Sequence, residues 1–306
     1  MSNIIVIWDS MLDKYVYWNT DRKNPESPMP LLSVDLEEYR LWGASNVANN
    51  ITSLDWWARL ISIIWEDENW LKFKQLCEQN EITLIPVVSD NPTITKVRFM
   101  DSQYKQQLLR VDYEKKNKLT KSDIQDIMKE LFLQKPEYII ISDYNKWIIN
   151  KELVDFLKEF SKEIWSKILV DTKPQNLSLF YGVYLIKPNL REFREMIGQK
   201  IDNTDKDIEL FWKDFTKNHK TNLVVTRWSK WSSLITIDWN VSHVKPSEER
   251  KVFDVTWAGD TFIATISYAL SAWYDLEAAV RLANKASGIV VEKVGTATIT
   301  REELWI

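Results

Sequence analysis

The sequence predicts an α/β protein: a doubly wound, mostly parallel sheet with helices on both faces and a small β-sheet lid. Three observations predict the layers. Short, continuous, β-branched runs recur along the 306-residue chain, as in strands buried on both faces. Amphipathic helical patterns fall between these runs. Two segments, at about 14–40 and 93–112, alternate with period two instead.

In chain order, Ile4–Ile7 is the first buried strand, and Tyr15-Val16-Tyr17 and Leu31–Val34 flank a Pro-containing loop. Helical patterns at 43–54 and 67–79 lead to the strand Ile82–Val88. Thr93–Phe99 and Gln107–Asp112 then read as further antiparallel strands, added to the main sheet as a flap over its edge. Three helix and strand pairs follow: 121–133 with Tyr138–Ile141, 150–164 with Ile168–Val170, and Val183–Ile186 with 189–197. A helix at 205–218 precedes the strand Leu223–Val225, and a last helical pattern runs from Ala258 to Ala272. Without a repeat or long linker, residues 1–306 read as one domain with a lid.

Composition narrows the function classes. A net charge of −4 offers no basic footprint for nucleic acid. No apolar run approaches the length of a membrane span, and the start, with Asp9, lacks the pattern of a signal peptide, so a cytoplasmic protein is expected. Cys77 stands alone and reads as a buried core thiol. His219 and His243 have no Cys or carboxylate at ligand spacing. The unusual numbers are 16 Trp and 6 Gly, where ordinary usage would supply about 21 glycines.

The stretch richest in chemistry is Phe253-Asp254-Val255-Thr256-Trp257-Ala258-Gly259-Asp260-Thr261-Phe262. Small residues opening a helix leave backbone N–H groups facing an anion, and the helix dipole helps. A carboxylate there, Asp260, can take a proton from an attacking hydroxyl, which with the anion cradle is what phosphoryl transfer needs. The plainer alternative is that Asp260 only complements the helix N-terminus.

This segment resembles the signature of the PfkB, ribokinase-like sugar kinases, with Trp257 in the first Gly position. Leu41-Trp42-Gly43-Ala44-Ser45-Asn46-Val47-Ala48 resembles the same family's sugar-binding element, and the similarity covers essentially the whole chain. Asp9–Tyr15, Asn24–Pro30, Pro92–Arg98, Gln107–Asp112 and Ser142–Trp147 narrow the resemblance. They are similar to a branch that phosphorylates the anomeric 1-position of a heptose already carrying a 7-phosphate, a step of ADP-heptose and lipopolysaccharide precursor synthesis. Members are often fused to a nucleotidyltransferase, so the kinase half is what the chain is expected to supply.

The resemblance implies roles residue by residue. Asp260 is the base, with the backbone N–H groups of Trp257, Ala258 and Gly259 as anion hole. Lys187, Asn189 and Glu192 place the ATP phosphates and Mg²⁺, Glu192 acting through water; Asn then Glu three later is equally a capping box. Thr226, Trp228, Lys230 and Trp231 form the nucleotide loop, and Asn284 lies beside the adenine or is simply a helix-face residue. Asp13, Trp42, Gly43 and Asn46 line the sugar, and Asp143 and Lys146 reach the site. Lys96, Arg98 and Arg110 take the 7-phosphate, unless Lys96 and Arg98 are a solvated face. Asp254 and Thr256 shape a monovalent-cation site for K⁺, and a homodimer through the lid is implied.

Twelve Trp stand where this family usually has Gly: Trp8, Trp18, Trp42, Trp65, Trp70, Trp147, Trp165, Trp228, Trp231, Trp239, Trp257 and Trp273. A side chain at a left-handed position costs about 1–2 kcal/mol. Drift would not select glycines so consistently, which points to UGA codons that some bacteria decode as Gly. Two further readings follow: a kinase for another sugar or nucleoside, and an inactive binding scaffold if the indoles are genuine.

Overall fold

The β-branched runs assemble into a nine-stranded sheet in a computed structural model that describes residues 3–26, 30–90, 92–115, 119–146, 149–228, 232–245, 257–293 and 297–306. The elements are β1 (Ile4–Trp8), β2 (Ser10–Lys23), β3 (Pro30–Gly43), α1 (Ala44–Thr52), β4 (Ala58–Ile64), α2 (Glu68–Gln79) and β5 (Thr83–Val88). Then come β6 (Thr95–Asp101), β7 (Gln107–Tyr113), α3 (Lys121–Gln134), β8 (Tyr138–Ser142), α4 (Lys151–Glu163), β9 (Lys167–Asp171) and β10 (Leu185–Ile186). The chain ends with α5 (Leu190–Ile197), α6 (Asp205–His219), β11 (Asn222–Thr226), β12 (Ser232–Ile235), β13 (Val241–Val244), α7 (Ala258–Ser271), α8 (Leu276–Val290) and α9 (Arg301–Leu304).

Sheet order is β13-β12-β11-β10-β9-β8-β1-β4-β5, parallel except for the two antiparallel pairings at the β13 edge. All five residues of β1 are buried, and its side chains alternate between two cores. Ile4 and Val6 pack with α1, α7 and α8, while Ile5 and Ile7 join the cluster holding Leu131 of α3 and Leu157 of α4. Cys77 belongs to the first core. From β1 the strand order runs one way through β4 and the other through β8, so the chain reverses beside its carboxyl end. Ligands bind at such a crevice in open α/β sheets.

The period-two segments form a separate four-stranded sheet, β3-β2-β6-β7, rather than extending the main one. Its central pair, β2 and β6, is parallel where antiparallel pairing was expected. The reason is entry: β2 follows β1 and β6 follows β5, two parallel strands that leave the large sheet in the same direction. Strand β4 and the antiparallel pair β12 and β13 were not anticipated. Among the described residues, no helix is long and apolar enough to cross a membrane.

Candidate active site

Helix α7 brings Asp260 to the centre of the molecule in its first turn, at 2% exposure. Its N-cap, Trp257, makes no side-chain cap hydrogen bond. The first amides of a helix have no intrahelical partner, so the N–H groups at the start of α7 are available to an anion. Both carboxylate oxygens of Asp260 accept hydrogen bonds, Oδ2 from Asn46 Nδ2 at 2.9 Å and Oδ1 from the Tyr144 hydroxyl at 2.7 Å. Burial raises the Asp260 pKa to about 6 against these two donors. Asn46 is in turn fixed by helix pairing: Asn50 Nδ2 donates to the Asn46 carbonyl, and Thr261 Oγ1 donates to Asn50 Oδ1, both at 2.9 Å. Burial and the charge of Asp260 hold the Tyr144 hydroxyl well above its usual value, so it stays a donor.

Lys187 follows β10, and its ammonium faces α7. A Cβ on Gly259 would lie 3.6 Å from Lys187 Nζ and 3.8 Å from Asp171 Oδ2. Lys187 Nζ pairs with Asp171 at 2.9 Å, and Lys173 Nζ pairs with Glu192 Oε1 at 2.5 Å. Asn189 and Glu192 form a reciprocal capping box on α5 while Glu192 also faces Lys173, so the capping geometry and the placement beside phosphate-sized charges coexist. Burial would raise the Glu192 pKa, but Lys173 and Lys187 outweigh it and hold the carboxyl low. Asp171 shifts upward, because burial outweighs Lys187. Asp171 and Glu192 are the carboxylates here that would hold a hydrated divalent cation, and Lys173 and Lys187 the cations that would face phosphate. Asp171 and Lys173 had no sequence motif to single them out.

On the nucleotide side, Thr226 ends β11 and its N–H bonds the Pro188 carbonyl at 3.1 Å, joining the two loops. Arg227 is buried and donates to Asn203, Asp205 and Ser233, a pin that the sequence did not signal. Trp228 is exposed on the surface. Asn284 donates to Ser232 Oγ at 2.7 Å and to the Val280 carbonyl, so it ties α8 to β12. Lys230, Trp231, Asp254 and Thr256 lie outside the described residues.

The lid supplies the opposite wall. Lys96 is only 5% exposed, so it is no solvated face; burial first, then Lys146, pushes its pKa down to about 8. Its Nζ lies 4.0 Å from the Trp42 ring centroid and 3.7 Å from Asp112. Arg98 Nε donates to Asp13 at 2.8 Å, so an arginine orients the Asp13 carboxylate. Arg110 sits directly across from Arg98 and pairs with Asp112 at 2.9 Å. Lys146 pairs with Glu114. Asp143 accepts from Thr172 Oγ1, Lys173 N and Asn176 Nδ2 of the segment after β9 and from Asn145 N, so it ties the loop after β8 to that segment. Asp9 lay in a motif without an assigned role. Buried at the end of β1, it accepts from the Tyr144 and Lys146 amides, and its pKa rises to about 7 through burial and the Asp143 charge. Gly43 must be glycine, since at φ +69 a Cβ would come within 2.1 Å of the Asp9 carbonyl oxygen.

Two indoles pack beside the start of α7. Trp42, at the end of the lid strand β3, lies 5.4 Å from Tyr144 and 6.1 Å from Trp257 between ring centroids, and Trp257 is buried in the first core.

A buried carboxylate at a helix N-terminus, paired cations beside it and a small second sheet on a doubly wound one are the parts a phosphotransferase needs. The family model described as pfkB family carbohydrate kinase matches residues 1–303. The chain belongs to that family, whose chemistry is ATP-dependent phosphoryl transfer to a sugar. Among curated relatives, the bifunctional protein HldE of Shewanella loihica is 38% identical over 309 residues, covering 99% of this chain and 63% of that protein. HldE of Haemophilus influenzae is 34% identical over 306 residues with the same coverage. The chain thus spans 63% of the length of these relatives. Solved structures share the fold: phosphofructokinase-2 from Escherichia coli in complex with potassium has a TM-score of 0.83 at 16% identity, covering 100% of this chain and 97% of that one. Ribokinase from Arabidopsis thaliana complexed with ribose and ATP has a TM-score of 0.73 at 17% identity, covering 99% and 97%.

Proposed function

We propose that the chain transfers the γ-phosphoryl group of ATP to the anomeric 1-hydroxyl of D-glycero-β-D-manno-heptose 7-phosphate, yielding the 1,7-bisphosphate and ADP, as a single kinase domain closed by its lid. The observation that carries the reading is the buried Asp260 carboxylate, held at the start of α7 by Asn46 and Tyr144. The 38% identity to HldE over nearly the whole chain supports the heptose branch.

Asp260 accepts the hydroxyl proton as the new O–P bond forms and the bond to the ADP oxygen breaks. Its raised pKa makes it a stronger base than an exposed aspartate, and it is still ionised near neutral pH. The amides opening α7 and the Lys187 ammonium beside Gly259 stabilise the charge gathering on the transferred group. Asp171 and Glu192 would hold Mg²⁺, which when bound supplies charge neutralisation across the phosphates. Lys96 and Arg98 are suited to the 7-phosphate. K⁺ is the candidate monovalent ion near Asp254 and Thr256. The exposed Leu32, Val34, Leu36, Leu108 and Leu109 on lid strands support a homodimer through the lid.

One observation favours a second reading for the chain as written. Trp257 caps the helix that carries Asp260 and its ring packs on Trp42 at 6.1 Å, indoles where the family signature has glycine, so the molecule would act as a binding scaffold. Coupled measurement of ADP release separates the two. The form with glycine at 42 and 257 should turn over with ATP and heptose 7-phosphate, and its Asp260→Asn variant should not. Turnover only with other sugars would exclude the heptose assignment.

A further inference from the structure

Twelve described non-glycine residues have φ in the left-handed region, and six of them are tryptophan: Trp8, Trp165, Trp228, Trp239, Trp273 and Trp305. Fourteen tryptophans have a described backbone. At the few per cent usual for non-glycine residues, fewer than one would be expected, and bulky side chains are the least tolerated there.

Hydrogen bonding identifies several of these positions independently of φ. After α7, the Trp273 N–H bonds the Leu270 carbonyl and the Tyr274 N–H bonds that of Ala269. This crossed pair is the Schellman helix ending, whose left-handed residue is ordinarily glycine. After α9, the Trp305 and Ile306 N–H groups bond Glu302 and Arg301 in the same way. After α4, Ser166 reaches back to Ser161 across Trp165. Gly198 fills the equivalent place after α5, at φ 65. Trp239 occupies the left-handed place in the turn between β12 and β13, where Thr236 and Asn240 exchange a backbone bond. The rings at these positions are unsupported: Trp165 and Trp273 are 91% exposed and Trp305 is 86% exposed. A third sign lies in the interior, where the buried Trp8 indole Nε1 has no hydrogen-bond partner.

We propose that the polypeptide made in its own cell carries glycine at positions 8, 165, 228, 239, 273 and 305, the codon read here as tryptophan being decoded there by a glycine tRNA. Position 305 emerges from backbone geometry alone. Trp18, Trp42, Trp65, Trp70 and Trp257 do not have left-handed backbones, so the steric argument does not reach every tryptophan at a family glycine position. Where the same codon is used at 42 and 257, the same decoding removes the Trp42–Trp257 ring contact beside the start of α7.

The test is peptide mass spectrometry of the protein purified from cells that make it naturally. Peptides spanning the six positions should carry the glycine mass, with UGA at each codon. Tryptophan masses there, or UGG codons, would overturn the proposal. A second arm uses purified recombinant protein. Changing an exposed helix-ending tryptophan to glycine normally lowers Tm, because glycine gains most from unfolding. Here Trp165→Gly and Trp273→Gly should each raise Tm by about 2 °C, and a fall at both would count against it. Neither arm depends on kinase activity, so the kinase assignment can fail while this one stands.

Discussion

The Tyr144 hydroxyl donates to Oδ1 of Asp260 at 2.7 Å while Asn46 donates to Oδ2 at 2.9 Å, so each oxygen is oriented by one donor and keeps a lone pair for a further hydroxyl. Tyr144 comes from the loop that Asp9 holds through two backbone amides, and Asn46 comes from α1. Tyr144→Phe removes a donor that lowers the base's pKa. The acid limb of kcat/KM should move to higher pH by up to about 1 unit, as expected for a lost hydrogen bond to a charged acceptor, while KM for ATP stays unchanged. An unmoved pH profile would assign Tyr144 a packing role only.

The pH dependence has a definite sign. Asp260 must be ionised to accept a proton, and its folded pKa is about 6, above the unfolded value. Activity should therefore rise with pH through about 6. Stability runs the other way, because the fold binds the proton more tightly and loses stability as pH rises between the two values. Asp260→Asn should lower kcat by roughly 10²–10⁴-fold. Its thermal midpoint relative to the parent should improve from about pH 4 toward pH 8, by up to about 3 kcal/mol, read from paired melts at the two pH values.

Lys187 and Asp171 form a largely buried pair beside Gly259. Lys187→Met leaves the aspartate uncompensated and should destabilise by about 3–5 kcal/mol, with a sharp rise in KM for ATP. Adding Asp171→Asn should restore most of the stability but none of the activity. Recovery of both would remove Lys187 from phosphate binding.

Glu192 serves both the α5 cap and the Lys173 pair. Glu192→Gln keeps a capping side chain, so stability should fall by only about 1 kcal/mol. The Mg²⁺ concentration for half-maximal rate should rise roughly tenfold or more, and chelation of the metal should abolish turnover of the parent. An unchanged Mg²⁺ requirement would place the ion elsewhere.

Much of the main sheet was legible because its strands are buried on both faces and so lack polar interruptions. Strand β4 escaped notice since Arg59 and Ser62 break the run. Arg59 is tied to Asn3 Oδ1 at 2.5 Å and Ser62 is buried. Strand β12 begins with Ser232 and Ser233, whose polarity is satisfied by Asn284 and Arg227. In the site, Asp260, Asn46, Lys187 and Glu192 stood out by motif. Asp171 and Lys173 did not, and Asp9 and Tyr144 lay in motifs without an assigned role, because their significance comes from partners such as Asp260, which is 116 residues from Tyr144.

By itself, the sequence determined the alternation of buried strands and amphipathic helices, the membership of Asp260 in a helix-opening segment, and the excess of tryptophan over glycine. These are local properties, written in periodicity and residue type. Only the tertiary structure decided that Asp13 pairs with Arg98, that Asp143 ties its loop to the segment after β9, and that Trp42 packs on Trp257. It also decided which tryptophans sit on left-handed backbone. Charge pairing and the sign of φ depend on which distant groups fold against a residue, and no local pattern carries that information.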